Sequence, residues 1–461
     1  MAGALPKALT RQGHRVRVVM PRYGLDRITR SADRLPGELT VPFGPRPRAS
    51  EVYLDRSAEV PTYFIDAPDY FLRPGLYGEH DDVERFAFFS LAVLEFAKAT
   101  GEHVDVLHLN DWMTGLVPAY LRSIYGGDPF FSGTRTLFTI HNIAFHGLFS
   151  LADLARLRLP DWMSSTDGGI EFYGAASTLK AGIVFSDAIS TVSPQYSKEI
   201  QTPEFGDRFE GLLRMRNHRL FGILNGVDYE EWNPEHDSSI AKNYSASDLT
   251  GKADCKRQLL RSFGLPDAGN RPVIGCISRL SDQKGCDLVL DIAWHMLDRG
   301  VMFVLLGSGA DFFEKRFQAL RDARPEQVGV YFGFSNHLAH QVEAGADMFL
   351  MPSRFEPCGL NQMYSLRYGT APIVRAVGGL EDTVQNFDRS TGRGNGFKFY
   401  EYNSIRLLEK IYEALLIYAD HQSWRTLQRN AMSADFSWNV SARHYIDLYE
   451  RLARRGAWAT V

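Results

Sequence analysis

Short apolar runs and amphipathic helical stretches alternate along nearly the whole chain. In the first half, runs suited to buried strands lie at Val16–Met20, Thr62–Ile65, Val104–His108, Thr136–Ile140 and Ala188–Val192. In the second half they lie at Val273–Ile277, Met302–Leu306, Gly329–Phe332, Met348–Met351 and Ala371–Val374. Such runs, interleaved with helical patterns, are what parallel sheets covered by helices on both faces require. Two sets of five therefore predict two α/β lobes. Between them, roughly residues 225 to 270 carry Asn-Gly, Asn-Pro and several Ser and Asp residues, a composition that suits a crossing between lobes. Near the end, Trp438, Ala442, Tyr445, Tyr449 and Leu452 recur at steps of four and three. That spacing predicts one apolar helix face over Trp438–Ala453, available to pack back on the first lobe.

Composition changes the picture mainly by exclusion. A chain of 461 residues exceeds what one core usually organises, and 44% hydrophobic with 23% charged residues is ordinary for a globular enzyme. The net charge of -4, with Lys and Arg scattered, leaves no electrostatic footprint for nucleic acid. No stretch reaches the ~20 apolar residues of a membrane span, and Met1-Ala-Gly-Ala-Leu-Pro6 lacks the pattern of an export signal. Cys255, Cys276, Cys286 and Cys358 form no C-x-x-C pair and sit near no His cluster. They read as structural thiols in a reducing compartment. The expectation is a cytoplasmic protein without a metal, a nucleic-acid partner or a membrane partner.

In doubly wound sheets ligands sit beyond the carboxyl ends of the strands, and most of the unusual polar clusters fall there. Residues 278 to 285 read Ser-Arg-Leu-Ser-Asp-Gln-Lys-Gly, between a strand and a helix. Arg279, Lys284 and the free amides of a helix start suit a diphosphate. The loop Pro352–Leu360 presents one carboxylate, Glu356, at the start of another helix. Cations for a leaving diphosphate and a carboxylate for sugar hydroxyls suggest sugar transfer from a nucleotide. In the first half, the Asn110-Asp111 loop and His141-Asn142 follow strand ends and offer donors to sugar hydroxyls. Gly307-Ser-Gly309, Gly333-Phe-Ser335 and Gly378-Gly379 occupy the same end in the second half. Blander readings stand beside these: Arg279 and Lys284 as helix-capping charges, Glu356 as a partner of the helix dipole, His141 as a satisfied histidine, Phe334 as core.

Seven motifs occur in order: Leu5–Leu9, Leu109–Trp112, Thr139–Ala144, Ser190–Pro194, Asn225–Asp228, Ser278–Gly285 and Pro352–Leu360. Together they resemble the bacterial glycogen synthases and plant starch synthases that use ADP-glucose, over essentially the whole chain. The resemblance implies a GT-B fold: two facing Rossmann-like doubly wound domains with the active site in the interdomain cleft. Residues 1–222 are the acceptor-side domain, with a C-terminal helix 437–461 packing back on it, and residues 223–436 bind the nucleotide sugar. By the same carry-over Arg279 and Lys284 hold the diphosphate, Glu356 contacts the transferred glucose and His141 lies by the sugar. These four form the catalytic set. Asn225 lies near the glucose pocket and Phe334 against adenine, while Asp111, Asn142, Cys358, Gly359, Leu360 and Tyr364 complete the substrate-binding set. Tyr364 stands where broader relatives carry a second glutamate, which matches the ADP-glucose group.

Two departures accompany the resemblance. The family's Lys-x-Gly-Gly-Leu loop after its first strand has no counterpart, so the first lobe is expected to be N-terminally truncated, through a mis-assigned start, with an open slot in its sheet. Met113 stands where the family commonly has histidine. The implied activity is transfer of glucose from ADP-glucose to the non-reducing 4-hydroxyl of an α-1,4-glucan, with retention, without a cofactor and by front-face displacement. The alternatives are a transferase of the same fold with another donor, a non-catalytic glucan-binding protein and a pyridoxal-dependent phosphorylase.

Overall fold

The computed structural model describes Met1 and residues 3–24, 32–57 and 59–454. One unit comprises Met1–Val192, Ser197–Ile223 and Trp438–Val461, and the other Ser193–Tyr196 with Leu224–Ser437.

In the first unit, β1 (Val18–Pro21), β2 (Asp33–Arg34), β3 (Leu39–Val41), β4 (Arg48–Asp55) and β5 (Thr62–Asp66) lie together. β1 runs parallel to β5, while β4 pairs antiparallel with β5, β2 and β3. Further along come β6 (Val106–Asn110), β7 (Arg135–Ile140), β8 (Leu148–Phe149), β9 (Glu171–Phe172), β10 (Ala175–Ser177), β11 (Ala188–Thr191) and β12 (Leu220–Gly222). A parallel sheet runs in the order β12-β11-β7-β6, and β8, β9 and β10 form a small antiparallel one. The five apolar runs of this half are thus shared between two sheets. Periodicity marks a strand, but its hydrogen-bond partner lies far along the chain and is chosen by the tertiary structure.

The parallel sheet is walled by the helix Trp438–Ala453, whose Trp438, Ala442, Tyr445 and Leu452 are buried against Leu137, Ala188 and the helix Leu5–Arg11. Of the expected helix 437–461, residues 455–461 lie outside the described residues. Tyr449 takes a polar role on this face. His108 is hydrogen-bonded to the Tyr449 hydroxyl (2.7 Å) through Nδ1 and to Thr139 Oγ1 (2.6 Å) through Nε2, and Thr139 continues to Ser190 Oγ (2.6 Å).

The second unit holds β13 (Val273–Ile277), β14 (Met302–Leu306), β15 (Val328–Tyr331), β16 (Met348–Met351), β17 (Ala371–Arg375) and β18 (Phe397–Phe399). All pair in parallel, in the order β15-β14-β13-β16-β17-β18. This is the Rossmann order, and its connections reverse direction between β13 and β16. Only β18 escapes the apolar pattern, because three residues are too few to show a period. Ile274, Phe303, Met348, Ile373 and Phe397 fill the core with Ala293, Ile411 and Leu427 from the covering helices.

Candidate active site

The crevice at the reversal between β13 and β16 receives the two loops singled out above. The loop after β13 turns through Asp282–Lys284 into the helix Cys286–Leu297, whose first amides carry the positive end of the helix dipole. The loop after β16 lies against it: the Arg354 amide donates to Gln283 O (2.8 Å), and Gln283 Nε2 donates to Phe355 O (3.3 Å). Gly285 makes the close approach possible. Its φ is +70°, and a Cβ there would sit 2.2 Å from Pro352 O.

This stitching brings Lys284 Nζ to 2.6 Å from Glu356 Oε2, which also accepts from Ser353 Oγ at 3.0 Å. Glu356 is buried, and among the described residues its Oε1 has no hydrogen-bond partner. Arg279 is exposed and makes no hydrogen bond or ion pair among the described residues. Arg279, Lys284, Glu356, Phe334, Gly359 and Leu360 line one cavity of about 370 Å³. Phe334 stands on its wall with 89% of its surface exposed, so it is not core. The arrangement offers an uncommitted guanidinium, an ammonium beside a carboxylate, a free carboxylate oxygen and a bare aromatic face.

Three sequence-predicted residues of this unit do not line that cavity. Cys358 is buried, its thiol pushed up to about 12 by burial, with the Asn225 backbone amide acting against that rise. Asn225 is thereby placed beside Cys358, and among the described residues its buried Oδ1 has no hydrogen-bond partner. Tyr364 lies flat on Trp232, with ring centroids 4.0 Å apart and planes at 3°. Trp232 stacks on its other face against His340 at 3.8 Å, and His340 Nδ1 meets Asp237 Oδ2 at 2.7 Å. This stack ties the segment carrying Asn225 to the helix Asn361–Arg367, which starts at the cavity wall.

In the first unit Asp111, His141 and Asn142 form a separate cluster at the ends of β6 and β7. His141 Nε2 meets Asn110 Oδ1 at 2.9 Å, and its backbone N–H donates to Asp111 Oδ1 at 2.8 Å. Burial holds His141 below the usual histidine range, and the Asp111 charge acts against it; burial likewise raises Asp111. Both shifts favour the neutral forms. Asp111 has φ 58° and ψ -179°, a costly conformation for a non-glycine residue that is characteristic of functional loops. Asn142 Oδ1 accepts from the Ala144 amide at 3.1 Å.

Comparisons with known proteins bear on the family and the fold. Residues 1–215 match the starch synthase catalytic domain and residues 261–431 the glycosyl transferases group 1. A glycogen synthase of Koribacter versatilis is 45% identical over 457 residues, covering 98% of this chain and 94% of that protein. One from an Anaeromyxobacter species is 47% identical over 459 residues, covering 98% and 95%. The chain belongs to the glycogen synthase family.

The catalytic domain of starch synthase IV from Arabidopsis thaliana, solved with ADP and acarbose, superposes with a TM-score of 0.92 at 33% identity, covering 98% of this chain and 95% of that one. Sucrose-phosphate synthase from Thermosynechococcus elongatus, at 16% identity and a TM-score of 0.59, shares the fold alone. This glycogen synthase family member is a glucosyltransferase with two Rossmann-like domains of the GT-B type. Among its described residues no three His, Cys, Asp or Glu side chains converge as metal ligands, and no helix is long and apolar enough to cross a membrane. Sequence reasoning passed over Ser353 and Asn361, which line the cavity. Ser353 sits inside the Pro352–Leu360 motif and Asn361 follows it, so adjacency to the motif was their available signal. The Trp232 stack had none, since its members are scattered over more than 130 positions.

Proposed function

We propose that this protein transfers the glucosyl group of ADP-glucose to the non-reducing 4-hydroxyl of an α-1,4-glucan such as glycogen, with retention of the α configuration, in the cytoplasm. The observation that carries the reading is the Lys284–Glu356 pair beside an uncommitted Arg279 in the β13/β16 crevice. As the bond from the anomeric carbon to the diphosphate breaks, negative charge grows on the leaving group. Fixed cations there stabilise the transition state more than the ground state. Arg279 and Lys284 take that role. The acceptor oxygen then bonds to the anomeric carbon from the same face, and its proton passes to the departing phosphate oxygen.

Glu356, with one oxygen held by Lys284 and Ser353, orients glucose by accepting hydroxyl hydrogens on the other. Gly359 and Leu360 border the same sugar, while Phe334 provides the face for adenine, sequence-tolerant stacking being worth about 1–3 kcal/mol per base. Asn225 and Cys358 shape the wall behind the glucose, and Tyr364 holds the helix that follows. Asp111, neutral His141 and Asn142 supply donors and acceptors for sugar hydroxyls. The ADP in the starch synthase IV structure supports the choice of donor. The test is nucleotide release from ADP-glucose and UDP-glucose with glycogen as acceptor. Faster release of UDP, or no glycogen-dependent release from either donor, would overturn the proposal.

A further inference from the structure

A second basic recess lies at the opposite end of the β7 strand from His141. It measures about 420 Å³, and its walls include Arg122, Tyr125, Thr134, Arg135, Phe185 and Asp187. Arg135 opens β7 and His141 follows its last residue. A strand of this length separates the two ends by about 20 Å, so the recess is distinct from the polar cluster around His141.

Its charges do not balance. Asp187 Oδ2 is already committed, accepting from the Thr136 amide (2.8 Å) and from Thr136 Oγ1 (2.9 Å). Arg122 and Arg135 approach Asp187 Oδ1 only to 3.6 and 3.8 Å, beyond hydrogen-bond range. Among the described residues neither guanidinium donates a hydrogen bond. Asp128, the other carboxylate on the wall, is taken by Lys98 at 2.8 Å and by the Phe130 amide at 3.0 Å.

Two more arginines stand behind Asp187. Arg216 donates to Val184 O (2.8 Å) and Ser186 O (2.6 Å), and among the described residues its buried Nε has no hydrogen-bond partner; Arg219 reaches the backbone Asp187 O at 3.4 Å. Burial and then the neighbouring Arg219 hold Arg216 down to about 10, with Asp187 acting against them and Arg122 adding to them. Two guanidinium groups thus share the Asp187 carboxylate, two more bond backbone carbonyls beside it, and the two on the wall have unused donors among the described residues.

We propose that this recess binds a phosphate group, either free phosphate or that of a small organic ester, between Arg122 and Arg135. Two planar forks with open N–H edges match the oxygens of a dianion, and such charge-assisted bonds are about twice as strong as neutral ones. Asp187, clamped by Thr136, pairs with both guanidinium groups, and its single charge cannot neutralise the two of them. Tyr125 and Phe185 give the organic part of an ester an apolar wall.

The test is calorimetric titration of the full chain with inorganic phosphate, with glucose 6-phosphate and with glucose. The Arg279→Gln variant separates this recess from the crevice at β13. Binding of both phosphate probes is expected to persist in Arg279→Gln and to weaken by about tenfold or more in Arg122→Gln/Arg135→Gln. Tighter binding of glucose 6-phosphate than of inorganic phosphate identifies an ester, and equal binding identifies free phosphate. Arg122→Gln alone changes a largely exposed side chain, so it reads the site even if the double variant does not fold. Undiminished phosphate binding in that single variant and in the folded double variant, loss of binding in Arg279→Gln, or glucose binding as tightly as its phosphate overturns the proposal.

Discussion

Lys284 Nζ and Glu356 Oε2, 72 positions apart in sequence, are 2.6 Å apart in space. The pair joins the loops on either side of the sheet's reversal point. Lys284→Ala is expected to lower kcat by about a hundredfold, comparable to deleting an oxyanion donor. Because the same change strips Glu356 of its counter-charge, Lys284→Ala and Glu356→Gln combined should cost less than the sum of their separate losses. Steady-state ADP release from the three variants measures this. Unchanged turnover in Lys284→Ala removes the lysine from the mechanism.

Gly285 sets the geometry of that pair. At φ +70° and with Pro352 O 2.2 Å from where a Cβ would stand, Gly285→Ala must push the two loops apart. We expect a kcat loss of at least about tenfold, since misplacement of about 1 Å is already costly. A variant with wild-type kcat shows that the spacing of the loops does not matter.

Phe334 projects a ring that is 89% exposed, so its removal should leave folding intact. Phe334→Ala is expected to raise KM for ADP-glucose by roughly tenfold while leaving the unfolding midpoint in urea unchanged. An unaltered KM counts against adenine stacking.

Trp232 is sandwiched between His340 and Tyr364. Trp232→Ala empties a buried aromatic site and should destabilise the chain by about 3–5 kcal/mol, read from chemical unfolding. A loss below about 1 kcal/mol indicates that the stack is ornamental to stability.

His108 ties stability to pH. Burial, and secondarily the charge of His141, holds His108 down to about 3, whereas an unfolded histidine titrates near 6.5. Between those values the unfolded chain binds the extra proton, so stability rises with pH and is lost as pH falls below about 6.5. The contribution amounts to about 1.4 kcal/mol for each pH unit crossed, and His141, shifted in the same direction, adds to it. Urea midpoints should therefore drop between pH 7 and pH 5, and His108→Gln should flatten that slope. An identical slope in the variant places the effect elsewhere.

Much of the second unit was legible before any coordinates. β13, β14 and β16 coincide with their apolar runs because strands buried on both faces need unbroken hydrophobic sequence. Arg279, Lys284 and Glu356 were visible because strand-to-helix loops are where such sheets hold ligands. The first unit is less legible: its five runs look like one set, yet β1 and β5 pair apart from β6, β7 and β11. Tyr364 was singled out by position, but its flat contact with Trp232 was invisible.

The sequence alone determined which segments become strands, which loops carry charge and which chemistry those charges suit, because hydrophobic periodicity and loop composition are local properties. Tertiary structure alone decided which strands share a sheet, that Lys284 closes on Glu356, and that Arg122 and Arg135 stand with unspent donors around a clamped Asp187. Those outcomes depend on contacts between residues tens to hundreds of positions apart, and no local pattern encodes a distance across that much chain.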